Sequence, residues 1–213
     1  MSARQMTPRN ERRAPVIIPL VVMLFALAVA VLSAAAALQV STASGGRPLD
    51  LLPLAQSHDA AASRLLSSDP AQARAETLRQ LALQPASAPA WLRMAELDAQ
   101  VHGKLTAQGL TWLGRSYEVG PFDPQVLQDR TRFAYDHWAE LDEDMRQQTI
   151  AQVKLAWPIG GQRAQVVSAS LAVKAPAGRM TLAMQLFSLR IADAVANSAR
   201  DRAAAAQRAP ARP

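Results

Sequence analysis

Three histidines, His58, His102 and His137, are the side chains of this sequence best suited to general-base or metal-ligand work. Their separations fit neither an HExxH pair nor any other paired metal spacing, so each reads as a surface or helix-end residue. Asp136 and His137 are neighbours, and on a helix neighbours point about 100° apart, which makes no ready base-and-orienter pair. Gly114-Arg115-Ser116-Tyr117-Glu118 follows a nucleophile elbow until its last position, where Glu stands for Gly. It also lacks the preceding strand that the strained elbow needs, so helix interior is the better reading. Asp142-Glu143-Asp144 lacks the spacing of an EF-hand loop and suits the positive end of a helix dipole. Gly160-Gly161 lacks a strand–loop–helix context for phosphate and reads as a turn. There is no cysteine, which removes disulfides, thiolate zinc sites and thiol nucleophiles together. The expectation is a non-enzyme with no catalytic residue, no metal and no cofactor.

The elements that must position any binding residue are helical. Half the residues are hydrophobic but only 5% aromatic, and alanine is abundant, a mix that favours close helix packing over a sheet core. β-branched residues cluster only near Val166–Val167 and in an apolar N-terminal run. The punctuation predicts a helix over about Leu51–Leu66, then one opened by Asp69 and Pro70 and closed before Pro85. Ser87 starts a third, ending at Gly103, and Thr106 caps a fourth to about Val119. Gly120-Pro121-Phe122-Asp123-Pro124 is a stop-and-restart signal; the helix it opens runs to Trp138. Another runs from Asp142 to near Trp157. A last helix over about Arg179–Ala196 carries an apolar face at Met180, Ala183, Met184, Phe187, Ile191, Ala194 and Val195. Trp91, Trp112, Trp138 and Trp157 are expected as core or helix-pair anchors.

Residues 14–40 carry no charge, and Val16–Leu38 is almost wholly apolar over 23 residues. About 20 such residues span a hydrocarbon core, and a signal-peptide core has only about 7–15. The expectation is an uncleaved transmembrane anchor at 14–40; the rival is a signal peptide cut within Ala34–Ala37. The Arg-rich flank predicts a cytoplasmic N-terminus and an exported body. The +6 net charge has a telling distribution. Residues 1–13 carry +3 and residues 197–213 carry +3, and the stretch between them balances at zero. A neutral body has no attraction for phosphate backbones, so nucleic acid is excluded as a partner. The chain divides into a basic cytoplasmic segment (1–13), the anchor (14–40), a linker (41–50), a helical domain (51–196) and a disordered basic tail (197–213).

The restart points Pro89 and Pro124 lie 35 residues apart. The unit between them resembles a tetratricopeptide repeat. Trp91 stands at the early aromatic position, Met94-Ala95 at the large–small pair and Gly103 at the turn. Ala107 stands where the second helix needs a small residue, and Leu110, Leu113, Gly114 and Tyr117 continue its inner face. Asp98 replaces the usual tyrosine, and the closing proline comes late, at Pro121. Residues 51–85 and 123–157 resemble the repeat more weakly. The longer pattern, with its Trp-bearing first helix, Gly-Pro-x-Asp-Pro restart, Arg-rich third helix and Trp-terminated fourth, is similar to membrane-anchored repeat proteins associated with proteobacterial polysaccharide export.

The resemblance implies an all-α fold: one transmembrane helix, then a solenoid of antiparallel helix pairs with a C-terminal capping helix. It implies an adaptor or assembly factor in envelope biogenesis, with exopolysaccharide as its first setting, on the outer side of a bacterial inner membrane. Its partner would be a membrane-associated protein, with no small-molecule substrate. An accessory subunit of a translocation or cytochrome-assembly complex, or a small polysaccharide-modifying enzyme, is the alternative. Repeat solenoids bind along the concave surface lined by their first helices. Arg130 and Arg132 on one such helix and Glu96 on the one before are therefore the expected partner-binding residues. Arginine's bidentate geometry points to acidic peptide or sugar groups; a plain solvated pair is the competing reading.

Overall fold

The computed structural model describes residues 17–45 and 54–208, and every element among them is helical. The elements are α1 (Ile17–Gly45), α2 (Ala55–Leu65), α3 (Pro70–Leu83), α4 (Ala88–His102), α5 (Ala107–Val119), α6 (Pro124–Asp136), α7 (Glu143–Ala156), α8 (Gly160–Ala172) and α9 (Pro176–Arg208). The expected basic segment 1–13 lies outside the described residues. The expected linker does so in part: α1 continues to Gly45, and 46–53 are not described. Among the described residues no helix is long and apolar enough to cross a membrane.

The helix starts follow local chemistry. Asp69 accepts from the Gln72 amide at 3.0 Å, Asp123 from Gln125 at 2.9 Å and Asp142 from Met145 at 2.8 Å. Each side-chain oxygen satisfies an amide that the first turn leaves free. Pro70 and Pro124 sit at the first helical position, where no donor is missed. Gly103 ends α4 in the left-handed region at φ 69°, which only glycine enters without strain.

Packing is repeat-like for two pairs and then changes. Helices α2 and α3 form one antiparallel hairpin and α4 and α5 a second, with α3 against α4. Leu81, Ala90 and Met94 close the seam between them, beneath Trp91 and Trp112. In the third unit α6 packs chiefly on α8 rather than on its sequence neighbour α7. Two cores therefore flank α6. Val126, Phe133 and Ala134 face the α4–α5 side with Leu92, Leu113 and Tyr117. Leu127 and Tyr135 face the other, with Val153, Trp157, Val166, Leu182 and Leu186.

Three expectations need correction. Gly160-Gly161 is not a turn but the first turn of α8, which has no side-chain cap; burial of Val166 and Ala169 carries it. The small residue at the α4–α5 crossing is Gly109, not the exposed Ala107: a Cβ on Gly109 would lie 2.4 Å from Asp98 Oδ2. The last helix is longer than its expected bounds and runs on to Arg208, so 197–208 is helix rather than disordered tail. Alanine and arginine lose little in a helix, and this stretch holds neither glycine nor proline; residues 209–213 are not described.

Helix α9 is seated closely. Gly178 is buried where a Cβ would fall 1.6 Å from the Tyr135 carbonyl oxygen, so no other residue allows this approach. The Asp136 carboxylate accepts from the Lys174 and Ala175 amides at 2.6 and 3.1 Å, just ahead of the helix. Tyr135 donates to Gln185, and Trp157 donates to Asp193 at 2.9 Å.

Candidate groove along the first helices of the pairs

A groove runs along α4, with residues of α2 and α6 on its two sides. Three hollows of about 360, 160 and 340 Å³ make it up. Pro89 and Gln125 line the first two, and Leu66 and Glu96 line the last two, so they adjoin.

Arginines strut the two sides to α4. Arg93 on α4 donates to Asp59 at 2.7 Å and to Ser63 at 2.8 Å, both on α2, and to Gln80 at 3.0 Å on α3. Arg132 on α6 pairs with Glu96 on α4 at 2.9 Å and with Asp136 one turn along at 3.6 Å. Burial raises the Glu96 carboxyl above its usual value, opposed by Arg132, with Asp129 adding to the rise. The expected pair Arg132 and Glu96 is thus brought together, and it lines the groove.

The third expected residue is not there. Arg130 is fully buried, one step along α6 from the buried Thr131 and two from the groove-facing Arg132. Its guanidinium donates to the main-chain oxygens of Ser116 at 2.6 Å, Gly120 at 2.9 Å and Pro121 at 3.3 Å. It also stacks over Tyr117 at 4.2 Å, and Tyr117 shares a hydrogen bond with Thr149 of α7 at 2.9 Å. Burial lowers the pKa of Arg130, against the pull of Tyr117 and Asp123. Burial likewise raises that of Tyr117. Arg130 therefore closes the end of α5 and holds the Gly-Pro-Phe-Asp-Pro corner onto α6. A signal for this existed: position 130 falls in the buried stripe Val126, Leu127, Phe133 and Ala134 at helical spacing.

With the arginines committed to struts, the polarity of the groove differs from the expected one. Asp59, Glu96, Asp123 and Asp129 line the hollows against two arginines, Arg93 and Arg132, a net of two negative charges. Asp129 is exposed and takes part in none of the described ion pairs. Such a surface favours a cationic segment over an acidic one.

The remaining candidates fall where packing needs them. His58 is buried and bonded to Glu76 at 2.7 Å, so it is a core residue rather than a surface one. His102 is exposed at the end of α4, and His137 forms the C-cap of α6. Ser116 lies inside α5 and donates to the Ala88 carbonyl at 2.9 Å. Asp98, in place of the consensus tyrosine, accepts from both the amide and the hydroxyl of Thr106, fixing the α4–α5 turn. Among the described residues no group of three or more His, Cys, Asp or Glu is arranged to hold a metal ion.

A second concavity went unnoticed in the sequence. Two adjoining hollows of about 240 and 260 Å³ share Pro121, Phe122, Gln152 and Leu155. They are mainly apolar, and Phe122 is 68% exposed at their rim. No protein-family model, no curated protein and no solved structure matches this chain.

Proposed function

We propose that this chain is a non-catalytic, membrane-anchored adaptor whose tetratricopeptide-like groove holds a segment of a protein partner. The observation that carries the reading is the groove itself, three hollows in a row along α2, α4 and α6 with carboxylates in excess. A groove about three hollows long suits an extended or helical peptide, and its charge suits lysine or arginine on that peptide. On this reading residues 14–40 span a bacterial inner membrane, with 1–13 cytoplasmic and the helical domain on the outer side. In support, the sequence is almost wholly apolar from Val16 to Leu38, and within it α1 exposes its large side chains from Val22 to Leu32, as lipid-facing ones would be. Tethering raises the local concentration of the groove for any partner in the same membrane. The pathway we assign is envelope assembly, with exopolysaccharide polymerisation or export as the setting.

The test is capture of partners by the full-length protein in mild detergent, native against Asp129→Lys/Gln100→Lys. Both positions are exposed along the groove. Arg115→Glu, on an exposed pair of α5, serves as the control. A membrane-associated protein lost by the groove variant and kept by the control is the expected result, with capture weakening as salt rises. Retention by the groove variant removes the groove from the proposal, and absence of any specific partner removes the adaptor.

A further inference from the structure

Helix α9 is apolar on two opposite faces, and the body covers only one. Leu182 and Leu186 are buried against the second core, with Leu189 half-buried beside them. On the reverse face Met180 is 64% exposed, Met184 64%, Phe187 65%, Ile191 48% and Val195 61%. This is the apolar face that the sequence predicts for the last helix, and the structure turns it outward. A helix with two apolar stripes leaves one of them facing water unless a partner covers it. We propose that the cover is the same stripe of a second copy, and that the chain dimerises through α9.

Three observations choose a second copy over another occupant. The first is register. Met180, Met184, Phe187, Ile191 and Ala194 alternate steps of four and three, the seam of a two-stranded coiled coil, where identical stripes interlock. The second is charge. Thr181, Ala183, Ser188, Arg190 and Val195 flank the seam, and only Arg190 is charged. No row of like charges opposes self-pairing, and no row of opposite charges selects a different helix. The third is area. The exposed fractions amount to about 600 Å² of mostly apolar surface per chain, so a symmetric pair can bury up to about 1,200 Å², the lower bound of a stable interface. The face that pairs lies opposite the buried Leu182 and Leu186, and from Ala194 onward the described residues of α9 are almost all exposed.

The experiment is the particle mass of the full-length protein in detergent micelles, corrected for bound detergent, over a range of protein concentrations. The native chain is expected to contain two copies per particle. Met184→Glu/Phe187→Glu places two charges in the seam, and its association should weaken roughly 100-fold or more. Both side chains are already exposed, so far-ultraviolet circular dichroism should show native helix content in the variant. A native chain that stays monomeric at every concentration overturns the proposal. So does a variant that stays dimeric, since pairing would then run through α1 or another surface. Partner capture by the groove is read separately, so loss of one does not mimic loss of the other.

Discussion

Replacing Arg130 tests whether a fully buried guanidinium without a carboxylate partner stabilises the corner it occupies. In Arg130→Met the apolar stem is largely kept, and the donors to the Ser116, Gly120 and Pro121 oxygens are lost. The Ser116 oxygen is buried and left without that donor, while the bonds to Gly120 and Pro121 are only part-buried. An orphaned buried polar group costs about 1–3 kcal/mol. Taking the upper part of that range for Ser116 and the lower part for the other two gives about 4 kcal/mol. Release of the buried charge returns some of this, so the net expected loss is about 3 kcal/mol. For a domain of this size that lowers Tm by roughly 6–12 °C.

Thermal unfolding of the full-length protein in detergent, followed by circular dichroism, reads the shift. Arg132→Met is the companion, because its pair with Glu96 is partly solvated and worth about 0–1 kcal/mol. Arg130→Lys should recover less than half of the loss, since one ammonium cannot span three carbonyls. An Arg130→Met protein that melts within about 2 °C of native, or above it, would falsify the clamp argument, because the desolvation cost of the charge would then match its bonds.

Three further outcomes follow from the same geometry. Glu96 binds its proton more tightly folded than unfolded, so the folded chain carries more bound proton as pH rises above 4.5. Stability from this group is therefore lost through that window. The native-minus-Glu96→Gln difference in unfolding free energy should fall between pH 4 and neutrality, and a flat or rising difference refutes the assignment. Gly178→Ala puts a methyl group into the Tyr135 carbonyl and should lift α9 from α6. Hydrogen exchange should then lose protection in α9 while α2–α5 keep theirs; unchanged α9 protection contradicts the seating. Gly161 has open space around it in the first turn of α8, so Gly161→Ala should gain about 0.5 kcal/mol by denaturant unfolding. A loss of stability there would show that this turn is held by something other than helix propensity.

Helix boundaries were legible wherever a side chain reports on its own backbone. Asp69 with Pro70, Ser87, Thr106, Asp123 with Pro124, and Asp142 all mark starts in the structure, because capping is settled within three residues of sequence. Helix α8 was not legible, since two glycines and adjacent valines argue locally against it and only its seat on α6 overrides them. The outward turn of the α9 stripe was hidden for a similar reason. Two apolar faces were present, and which one meets the body is decided by Gly178, Gln185 and Asp193 on the less obvious one. At the groove, sequence placed Glu96 and Arg132 on neighbouring first helices, where they pair, but could not separate Arg132 from Arg130. Two residues apart on a helix is about 200° of rotation, and the burial of the neighbouring stripe sends one inward.

The fate of the two arginines also explains the sign of the groove. Arginine was expected to supply the binding charge because its fork matches carboxylates. That same match lets the chain's own carboxylates take it first. Arg93 closes on Asp59, and Arg132 on Glu96 and Asp136, tying adjacent first helices together at the groove surface. An arginine held this way has little left to offer a partner, while the surplus carboxylates remain. Asp136 extends the network, since the carboxylate that pairs with Arg132 also binds the amides leading into α9. Helix α6 is thus the common wall of both surfaces: one side completes the groove, and the other holds the helix whose free stripe points away from it.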